Sequence, residues 1–173
     1  MAKKHMIQQT SPSTVHGHSG GLAGNNPPKP GTMTTVTTFN ITNPTTNDWT
    51  DIQHLIEEYK LDDNDLSIDQ FIVCKVEQKL LAFGRIKKHS DFDELSSLGV
   101  LTTYRNKGIG KIMVHELIKL ITKNIFIVTV IPDYFTKLGF EKISQYPESM
   151  IAKQNDCKDT CVCGSPTVMT FKK

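Results

Sequence analysis

The sequence predicts a mixed α/β domain in which helices cover both faces of one β-sheet. Runs rich in β-branched residues recur along the chain, as at 71–77 and 80–88, and apolar residues at helical spacing interrupt them near 52–59 and 109–121. The run IFIVTVI at 125–131 is continuously apolar, which is typical of a strand covered on both faces. Because the pattern shows no internal repeats, we expect one layered domain with a sheet of about six to seven strands.

The predicted order begins with a strand and a helix. VTTFNIT at 36–42 has the composition of a strand, and the apolar residues from Ile52 to Tyr59 fall at i, i+3, i+4 and i+7. Thr46 or Asn47 can cap the first turn, because both side chains accept hydrogen bonds from backbone N–H groups. The spacing therefore predicts an amphipathic helix after the first strand.

Three further strands and a second helix follow. The acidic stretch at 61–69 predicts a loop or a short helix, and the runs 71–77 and 80–88 are separated by two residues, which favours a hairpin. The run at 92–101 predicts the third of these strands. Apolar residues at helical spacing over 109–121 predict an amphipathic helix that lies on the sheet.

The C-terminal part of the chain completes the sheet. The run at 125–131 ends at Pro132 and belongs in the centre of the sheet, because both of its faces are apolar. A short helix around 134–137 and strands at 140–144 and 167–172 follow. The predicted order of elements is β-α-β-β-β-α-β-α-β-β.

Residues 1–35 differ in composition from the rest of the chain. They combine Gly, Pro, Ser, Thr, Asn and His, and they carry Lys3, Lys4 and Lys29 without an acidic residue. Such a segment buries too little apolar surface to offset its ordering entropy. We therefore expect a disordered leader of vector or linker origin at 1–35, followed by a single domain at 36–173.

Charge and cysteine content exclude several functional classes. Removing the three leader lysines from the 20 Lys and Arg leaves 17 against 18 Asp and Glu, so the domain lacks the basic surface that binds nucleic acid. No window approaches the roughly 20 apolar residues of a membrane span, and no secretory signal is present, so we expect a cytoplasmic protein without a membrane partner. Four cysteines are too few for a disulfide framework, and we expect reduced thiols and no metal at Cys74, Cys157, Cys161 and Cys163.

A Gly-rich turn in ELSSLGVLTTYRNKGIGKIM at 94–113 is the most informative segment. A Walker A loop would need a Gly where Arg105 stands and a hydroxyl residue where Ile112 stands. A dinucleotide-binding fingerprint would need a Gly in place of Met113. Both motifs fail, and what remains is R-x-x-G-x-G, from Arg105 to Gly110.

This motif resembles the acetyl-CoA-binding motif of the GNAT superfamily of N-acetyltransferases. Tyr104 precedes it, Val100 lies on the predicted strand five residues before its Arg, and DYFTKLGF at 133–140 is similar to the second motif of the superfamily. The resemblance covers about residues 36–173 and implies a GNAT-like twisted mixed sheet, acetyl-CoA as co-substrate and a single N-acetyltransferase domain. Because members of the superfamily are often dimers, the resemblance also leads us to expect a homodimer.

The glycines of the motif have a chemical role. They let backbone N–H groups approach a pyrophosphate, and the helix that follows adds unpaired donors and the positive end of its dipole. By resemblance, the residues that bind the CoA phosphates are Arg105, Asn106, Lys107, Gly108, Ile109, Gly110 and Lys111. The alternative is a tight turn flanked by solvated basic residues.

The resemblance also implies how the acetyl group is held. In the superfamily the pantetheine arm pairs with the strand before the motif, so Leu98, Gly99 and Val100 would bind it. The Val100 N–H would polarise the acetyl carbonyl and stabilise the oxyanion. Gly99 fits either a β-bulge or close packing at this point.

The acceptor amine must lose a proton before it attacks. Deprotonation at pH 7 costs roughly 4–5 kcal/mol for a lysine ε-amine but only about 1–1.4 kcal/mol for an α-amine. Glu94 lies six residues before Val100, where several GNAT enzymes carry a catalytic glutamate, and it is our candidate general base. Strand alternation places Glu94 on the face of Leu98 and Val100, unless a bulge resets the register. A solvated strand end is the alternative for Glu94.

The usual acid of the superfamily is missing from its expected position. Many members carry a Tyr five residues before the Phe of the Gly-Phe pair, where this chain has Phe135. Tyr134 is adjacent but projects differently from a helix, and it is our candidate acid for the CoA thiolate. Protonation by water is an acceptable substitute, because thiol pKa values lie near 8.5.

Arg85 is the candidate acceptor-binding residue, because a guanidinium can hold a substrate carboxylate through two hydrogen bonds. The alternative for Arg85 is a solvated strand end beside Lys87 and Lys88. We interpret His89 as a surface residue without a role.

The C-terminal tail at 139–169 is loosely similar to short GNAT proteins named N-acetylglutamate-synthase-like, although their cysteine pair is C-x-x-C and this chain has C-x3-C-x-C.

The predicted function is acetyl transfer to a primary amine of a small molecule, such as an amino acid, by direct attack in a ternary complex. The alternatives are a peptide or protein amine as acceptor, and a GNAT-fold module that binds acyl-CoA without turnover.

Overall fold

The computed structural model describes residues 3–8, 36–160 and 164–172. In these ranges one sheet contains eight strands: β1 (Lys3–Gln8), β2 (Val36–Thr42), β3 (Phe71–Val76), β4 (Lys79–Lys88), β5 (Phe92–Val100), β6 (Asn124–Thr129), β7 (Phe140–Lys142) and β8 (Thr167–Phe171). The same ranges contain four α-helices: α1 (Thr46–Glu58), α2 (Ile109–Lys119), α3 (Pro132–Thr136) and α4 (Glu148–Thr160). Among the described residues, no helix has the length and apolar character needed to cross a membrane.

The sheet is mixed, as the sequence predicted. Its strands lie in the order β1-β2-β3-β4-β5-β6-β8-β7. β5 and β6 are parallel, and the other neighbouring pairs are antiparallel. β3 and β4 form the predicted hairpin, and β6 lies inside the sheet between β5 and β8. The mixed α/β fold class is therefore confirmed.

Two elements were not predicted. Residues 3–8 of the expected leader form β1, which pairs with β2 from Lys3↔Ile41 to Gln8↔Val36, and the rest of the leader lies outside the described residues. Disorder is therefore not what the structure shows at 3–8. An edge strand pairs through backbone groups that every sequence has, so composition did not reveal it.

The second unpredicted element is α4. Its sequence, ESMIAKQNDCKDT, carries no apolar stripe of helical period, so periodicity did not reveal it. Cys157 belongs to this helix, whereas Cys161 and Cys163 lie outside the described residues.

Strand alternation divides the core between two faces of the sheet. On one face Cys74 belongs to a cluster with Leu117 of α2, and burial raises the pKa of the Cys74 thiol to about 11. On the other face Val73 clusters with Ile52 of α1, and Met150 anchors α4 beside the C-terminal strands. Helices thus cover both faces, as the sequence predicted.

A capping box begins α1. Asp48 donates its N–H to Thr45 Oγ1 at 3.3 Å, and Thr45 donates its N–H to the Asp48 carboxylate at 2.7 Å. The N-cap is therefore Thr45, one residue before the predicted caps Thr46 and Asn47. Asp48 also pairs with the buried Lys75, whose Nζ lies 2.9 Å from Oδ1. Burial raises the pKa of Asp48, but Lys75 and the cap more than offset it, so the net shift is downward.

β5 departs from regular pairing at two points that position the site. An extra residue between Leu95 and Leu98 forms a bulge opposite Arg85 of β4. On its other edge β5 pairs with β6 only over 92–94. Beyond Glu94 the two parallel strands part, and within the described ranges the remaining edge of β5 has no strand partner.

We expect Asp48→Ala to lower the free energy of unfolding by about 3 kcal/mol, because it leaves the buried Lys75 ammonium without its carboxylate and removes half of the capping box. Thr45→Ala is the matched control and should cost about 1 kcal/mol, since it removes the cap alone. Urea unfolding followed by circular dichroism measures both. The Asp48 contribution should be present above about pH 4 and lost as the pH falls, because the folded-state pKa is lowered. Equal losses in the two variants would contradict a stabilising ion pair.

Candidate active site

The open edge of β5 presents backbone donors. Leu101 donates its N–H to β4 at 2.9 Å, so alternation turns the backbone of Gly99 toward β4 as well. The same alternation turns Leu98 and Val100 away from β4. The Val100 carbonyl accordingly accepts a hydrogen bond from Arg105 Nε at 3.0 Å instead of one from β4. The N–H groups of Leu98 and Val100 therefore face the gap between β5 and β6.

Close packing explains Gly99. A Cβ at this position would lie 2.4 Å from ring atoms of Phe83, the residue with which Gly99 pairs on β4. The bulge of β5 lies opposite Arg85 and not at Gly99. Of the two explanations that the sequence left open, the structure selects packing.

The Gly-rich turn places a row of unpaired amides after this edge. Asn106 and Gly108 adopt left-handed φ angles of 61° and 79°, and Gly108 is the N-cap of α2. Among the described residues, no protein acceptor engages the N–H groups of 106–111. The first turn of α2 adds the positive end of its dipole to these donors. The turn can therefore bind an anion through its backbone.

Basic side chains surround the same turn. Arg105, Lys107 and Lys111 are exposed. The Arg105 guanidinium lies 4.9 Å from the centre of the Tyr59 ring, while its Nε bonds Val100, so two contacts hold this side chain at the end of β5. These charges complement a pyrophosphate on the amide row.

Tyr134 reaches the junction of the open edge and the Gly-rich turn. A Cβ on Gly110 would lie 2.7 Å from the Tyr134 hydroxyl oxygen and 3.6 Å from the Val100 side chain. Burial raises the pKa of Tyr134 above its ordinary value, so the hydroxyl keeps its proton at neutral pH. Phe135, at the position where the superfamily usually has its Tyr, is buried and packs 5.4 Å from the Phe140 ring.

Glu94 is buried on the opposite face of β5 from the side chains of Leu98 and Val100. Those two side chains pack against the cluster beneath α2, whereas Glu94 contacts Lys153 of α4. The shared face expected from alternation is therefore not found, because the bulge between Glu94 and Leu98 resets the register.

Within the described part of the chain, two side chains contact the Glu94 carboxylate, which is only 3% exposed. His89 Nε2 lies 3.0 Å from Oε2, and the Lys153 ammonium contacts Oε1. The His89 ring stacks on Phe92 with centroids 4.1 Å apart, and 22% of the His89 side chain is exposed. Glu94 thus has one contact with a cation and one with a ring that reaches solvent.

Lys153 joins α4 to the loop at 61–69 above β5. Its ammonium lies 2.6 Å from Asp62 Oδ2 and 3.1 Å from Ser96 Oγ, in addition to its contact with Glu94. Burial raises the pKa of Asp62, but the Lys153 ammonium and the Ser96 hydroxyl lower it by a larger amount. The net result is a pKa well below the ordinary value. The Asp62 carboxyl is therefore ionised at neutral pH.

Arg85 is fully buried, so the predicted alternative of a solvated strand end is wrong. Its Nε donates to Gln70 Oε1 at 2.8 Å, and its Nη2 donates to the carbonyls of Asn64 and Asp65 at 2.7 and 2.8 Å. Nη1 lies 3.8 Å from Asp62 Oδ2 and has no hydrogen-bond partner in the described structure. Arg85 therefore anchors the loop to the sheet, and its role in binding a substrate carboxylate stays a prediction.

Sequence reasoning assigned no role to three residues of this site, Asp62, His89 and Lys153. Asp62 lay in a stretch predicted only as a loop, and Lys153 belongs to the unpredicted helix α4. Asp62 and Lys153 are 91 residues apart in the chain. No local pattern singles them out, because only folding brings them together.

Comparison with protein families agrees with this geometry. The model of the acetyltransferase (GNAT) family matches residues 37–140, more than half of the chain. The chain belongs to the GNAT family. The match begins in β2 and ends at the first residue of β7, so it includes both the open edge and the Gly-rich turn of this GNAT domain.

Individual relatives support the same fold. An uncharacterized N-acetyltransferase of Chlorobaculum tepidum is 26% identical over 76 residues, which cover 40% of this chain and 49% of that protein. N-acetylglutamate synthase from Neisseria gonorrhoeae, solved with coenzyme A and L-arginine, aligns with a TM-score of 0.63 at 17% identity over 78% of this chain and 34% of its own. The ribosomal-protein-S18-alanine N-acetyltransferase from Escherichia coli aligns with a TM-score of 0.53 at 16% identity, over 77% and 92%. The chain spans about half the length of the curated relative, and the structural likenesses establish the fold.

The residues present fit a CoA molecule at this site. The free amides of 106–111 match its pyrophosphate, and the free N–H groups of Leu98 and Val100 match the amide carbonyls of an extended pantetheine arm. Gly110 leaves open the space beside Tyr134 that a Cβ would fill. Within the described ranges, no group of three or more His, Cys, Asp or Glu side chains is arranged to hold a metal ion.

Proposed function

We propose that this protein is an acetyl-CoA-dependent N-acetyltransferase whose acceptor is a primary amine of a small molecule, such as an amino acid, attacked directly in a ternary complex. The observation that carries the proposal is the gap between β5 and β6. There the free N–H groups of Leu98 and Val100 lead into the free amides of 106–111. The same strand, β5, also carries Glu94, whose carboxylate is buried.

The gap and the turn bind acetyl-CoA, which supplies an acetyl group on a thiol leaving group. The amides of 106–111 hold the phosphates, with Arg105, Lys107 and Lys111 adding charge. The Leu98 and Val100 N–H groups pair with the extended arm. The Val100 N–H polarises the acetyl carbonyl and stabilises the negative charge that develops on its oxygen.

Glu94 takes the proton from the acceptor ammonium. A carboxylate that is 3% exposed needs a route by which that proton leaves. His89 provides one, because its Nε2 lies 3.0 Å from Glu94 and its ring reaches solvent. The stack on Phe92 holds the ring in place. His89 thus acts as a relay between the buried base and water.

Tyr134 gives a proton to the departing thiolate. Its hydroxyl lies beside Gly110 and Val100, where the gap meets the turn. The raised pKa of Tyr134 keeps the proton on the oxygen until it is needed. Thiol pKa values near 8.5 make the thiolate a tolerable leaving group, so this step needs only modest help.

The covering of β5 favours a small acceptor. Lys153 connects α4 to the loop at 61–69 across the face that carries Glu94, so the Glu94 side chain is only 3% exposed. A small amine approaches so covered a carboxylate more readily than a folded protein does. The names of the structural neighbours cover both classes, since one is an N-acetylglutamate synthase and the other acts on an alanine of a ribosomal protein.

The proposal is tested by a thermal-shift titration with CoA and a thiol-release assay with acetyl-CoA across amino acids, polyamines, aminoglycosides and peptides. We expect CoA to raise the melting temperature and one class of small amine to give turnover. Turnover with peptides alone would replace the small-molecule acceptor by a peptide. Stabilisation without turnover on any amine would favour a module that only binds acyl-CoA. Absence of stabilisation would overturn the assignment of the gap and the turn to CoA.

We expect Glu94→Gln to lower kcat by about 10²-fold or more for an alkylamine acceptor, because removal of a general base forfeits most of the deprotonation step. The loss should be smaller for an α-amine, whose deprotonation costs about 3 kcal/mol less. Steady-state kinetics with both amines measures the difference. Asp91→Asn, at an exposed carboxylate just before β5, is the matched control and should leave kcat unchanged. Unchanged kcat in Glu94→Gln would remove Glu94 as the base.

We expect Tyr134→Phe to lower kcat by about tenfold, less than the usual range for a general acid, because a thiolate leaves with little assistance. In the parent protein, the raised pKa of Tyr134 means that deprotonation of this hydroxyl removes activity only above about pH 10. A pH–rate profile of both proteins measures these effects. A kcat equal to that of the parent at every pH would leave proton delivery to water.

A further inference from the structure

An amine of the protein itself already lies on the candidate base. The Lys153 ammonium contacts Glu94 and lies 2.6 Å from Asp62 Oδ2 and 3.1 Å from Ser96 Oγ. Its side chain is 24% exposed, so it is more enclosed than an ordinary surface lysine. The position in which a general base must receive an acceptor ammonium is therefore filled by Lys153.

Contacts of α4 on both sides of Lys153 hold it there. Met150 is buried against the C-terminal strands. Gln154 accepts a hydrogen bond from the Tyr146 hydroxyl at 2.9 Å and donates one to the Pro166 carbonyl at 2.8 Å. The helical turn that carries Lys153 is thus attached to the sheet independently of the ion pairs. Its place beside Glu94 is a feature of the fold.

We propose that Lys153 is an acetylation site that the protein modifies within the same molecule. The inference rests on the function proposed above and deepens it, since it names an acceptor of that active site. Lys153 contacts Ser96, which lies four residues before Val100, the residue assigned to the acetyl carbonyl. In a regular strand this span would be about 13 Å, and the bulge between Leu95 and Leu98 bends β5 within it. Rotation of the flexible four-carbon stem of Lys153 moves its amine along β5 toward the thioester.

The reaction is an ordinary acetyl transfer to nitrogen. The Lys153 ammonium first loses one proton to Glu94, from which it passes through His89 to water. A C–N bond then forms between Nζ and the acetyl carbonyl carbon, and the C–S bond of the thioester breaks with its electron pair on sulfur. Tyr134 delivers its proton to the thiolate, and the second proton, which leaves the nitrogen as the amide forms, restores the Tyr134 hydroxyl. The products are acetyl-lysine, the CoA thiol and one proton, so no oxidant or reductant is needed.

Acetylation of Lys153 changes the charge balance of the site. The amide is neutral, so Asp62 and Glu94 lose the cation that contacts both of them. The two carboxylates then repel each other. An external primary ammonium then restores the balance by taking the vacated place on Glu94. Modification of Lys153 therefore converts a face closed by its own amine into one that accepts a cationic amine.

The test uses the full chain with acetyl-CoA and no added amine, and follows acetylation of each lysine by peptide mass spectrometry. Uncatalysed acetylation favours exposed amines, and the exposed Lys137 and Lys142 are the internal references. We expect Lys153 to be acetylated about tenfold faster than either, because it is held next to the base. The fraction modified at a given time should be independent of protein concentration. A rate that rises in proportion to protein concentration would overturn the intramolecular route.

Two variants complete the test. Glu94→Gln should slow acetylation of Lys153 by about tenfold or more and leave Lys137 and Lys142 unchanged. Lys153→Arg keeps the cation but removes the nucleophile, and it should retain the CoA-induced rise in melting temperature, which shows that the protein is folded. Acetylation of Lys153 no faster than that of Lys137, or unaffected by Glu94→Gln, overturns the proposal.

The failures of the two proposals are distinguishable. Turnover of added amines with Lys153 unmodified overturns self-acetylation and leaves the proposed function intact. Absence of both CoA binding and turnover overturns the proposed function, and self-acetylation with it.

Discussion

The divergence of β5 from β6 is the constraint on which the rest of the site depends. The two parallel strands pair over three residues and then part, which leaves the N–H groups of Leu98 and Val100 without a strand to receive them. Backbone donors without a partner favour binding of an acceptor, so a ligand with carbonyl groups of its own would complete this edge. The Gly-rich turn begins where β5 ends, and its amides at 106–111 continue the same row of donors. One extended ligand can therefore accept hydrogen bonds from both the edge of β5 and the Gly-rich turn.

Charge organises the opposite face of β5. Asp62 and Glu94 are balanced by Arg85 and Lys153, in a setting where an unpaired charge would be costly. Arg85 holds the loop at 61–69 to the sheet, and Lys153 holds α4. Lys153 contacts both carboxylates, so a change in its charge alters the attachment of α4 to the loop and to β5.

Prediction from the sequence succeeded where the signal was local. The strands, the hairpin and the turn ending at Gly110 follow from residues that are neighbours in the chain. It did not reveal that Arg85 is buried, because the adjacent lysines indicated solvent while a loop 20 residues earlier folds over the guanidinium. It also failed to place Glu94 relative to Val100, because a bulge is defined by the partner strand as much as by its own residues.

The amino-acid sequence by itself determined the secondary structure of β2 to β8 and the Gly-rich turn that ends at Gly110, because backbone preferences and hydrophobic period act between neighbouring residues. Only the tertiary structure decided which face Glu94 takes, that Lys153 rests on it from 59 residues away, and that the Tyr134 hydroxyl reaches Gly110. Each of these is a distance between groups remote in the chain, and such distances are set by how the elements pack and by where β5 leaves the regular ladder.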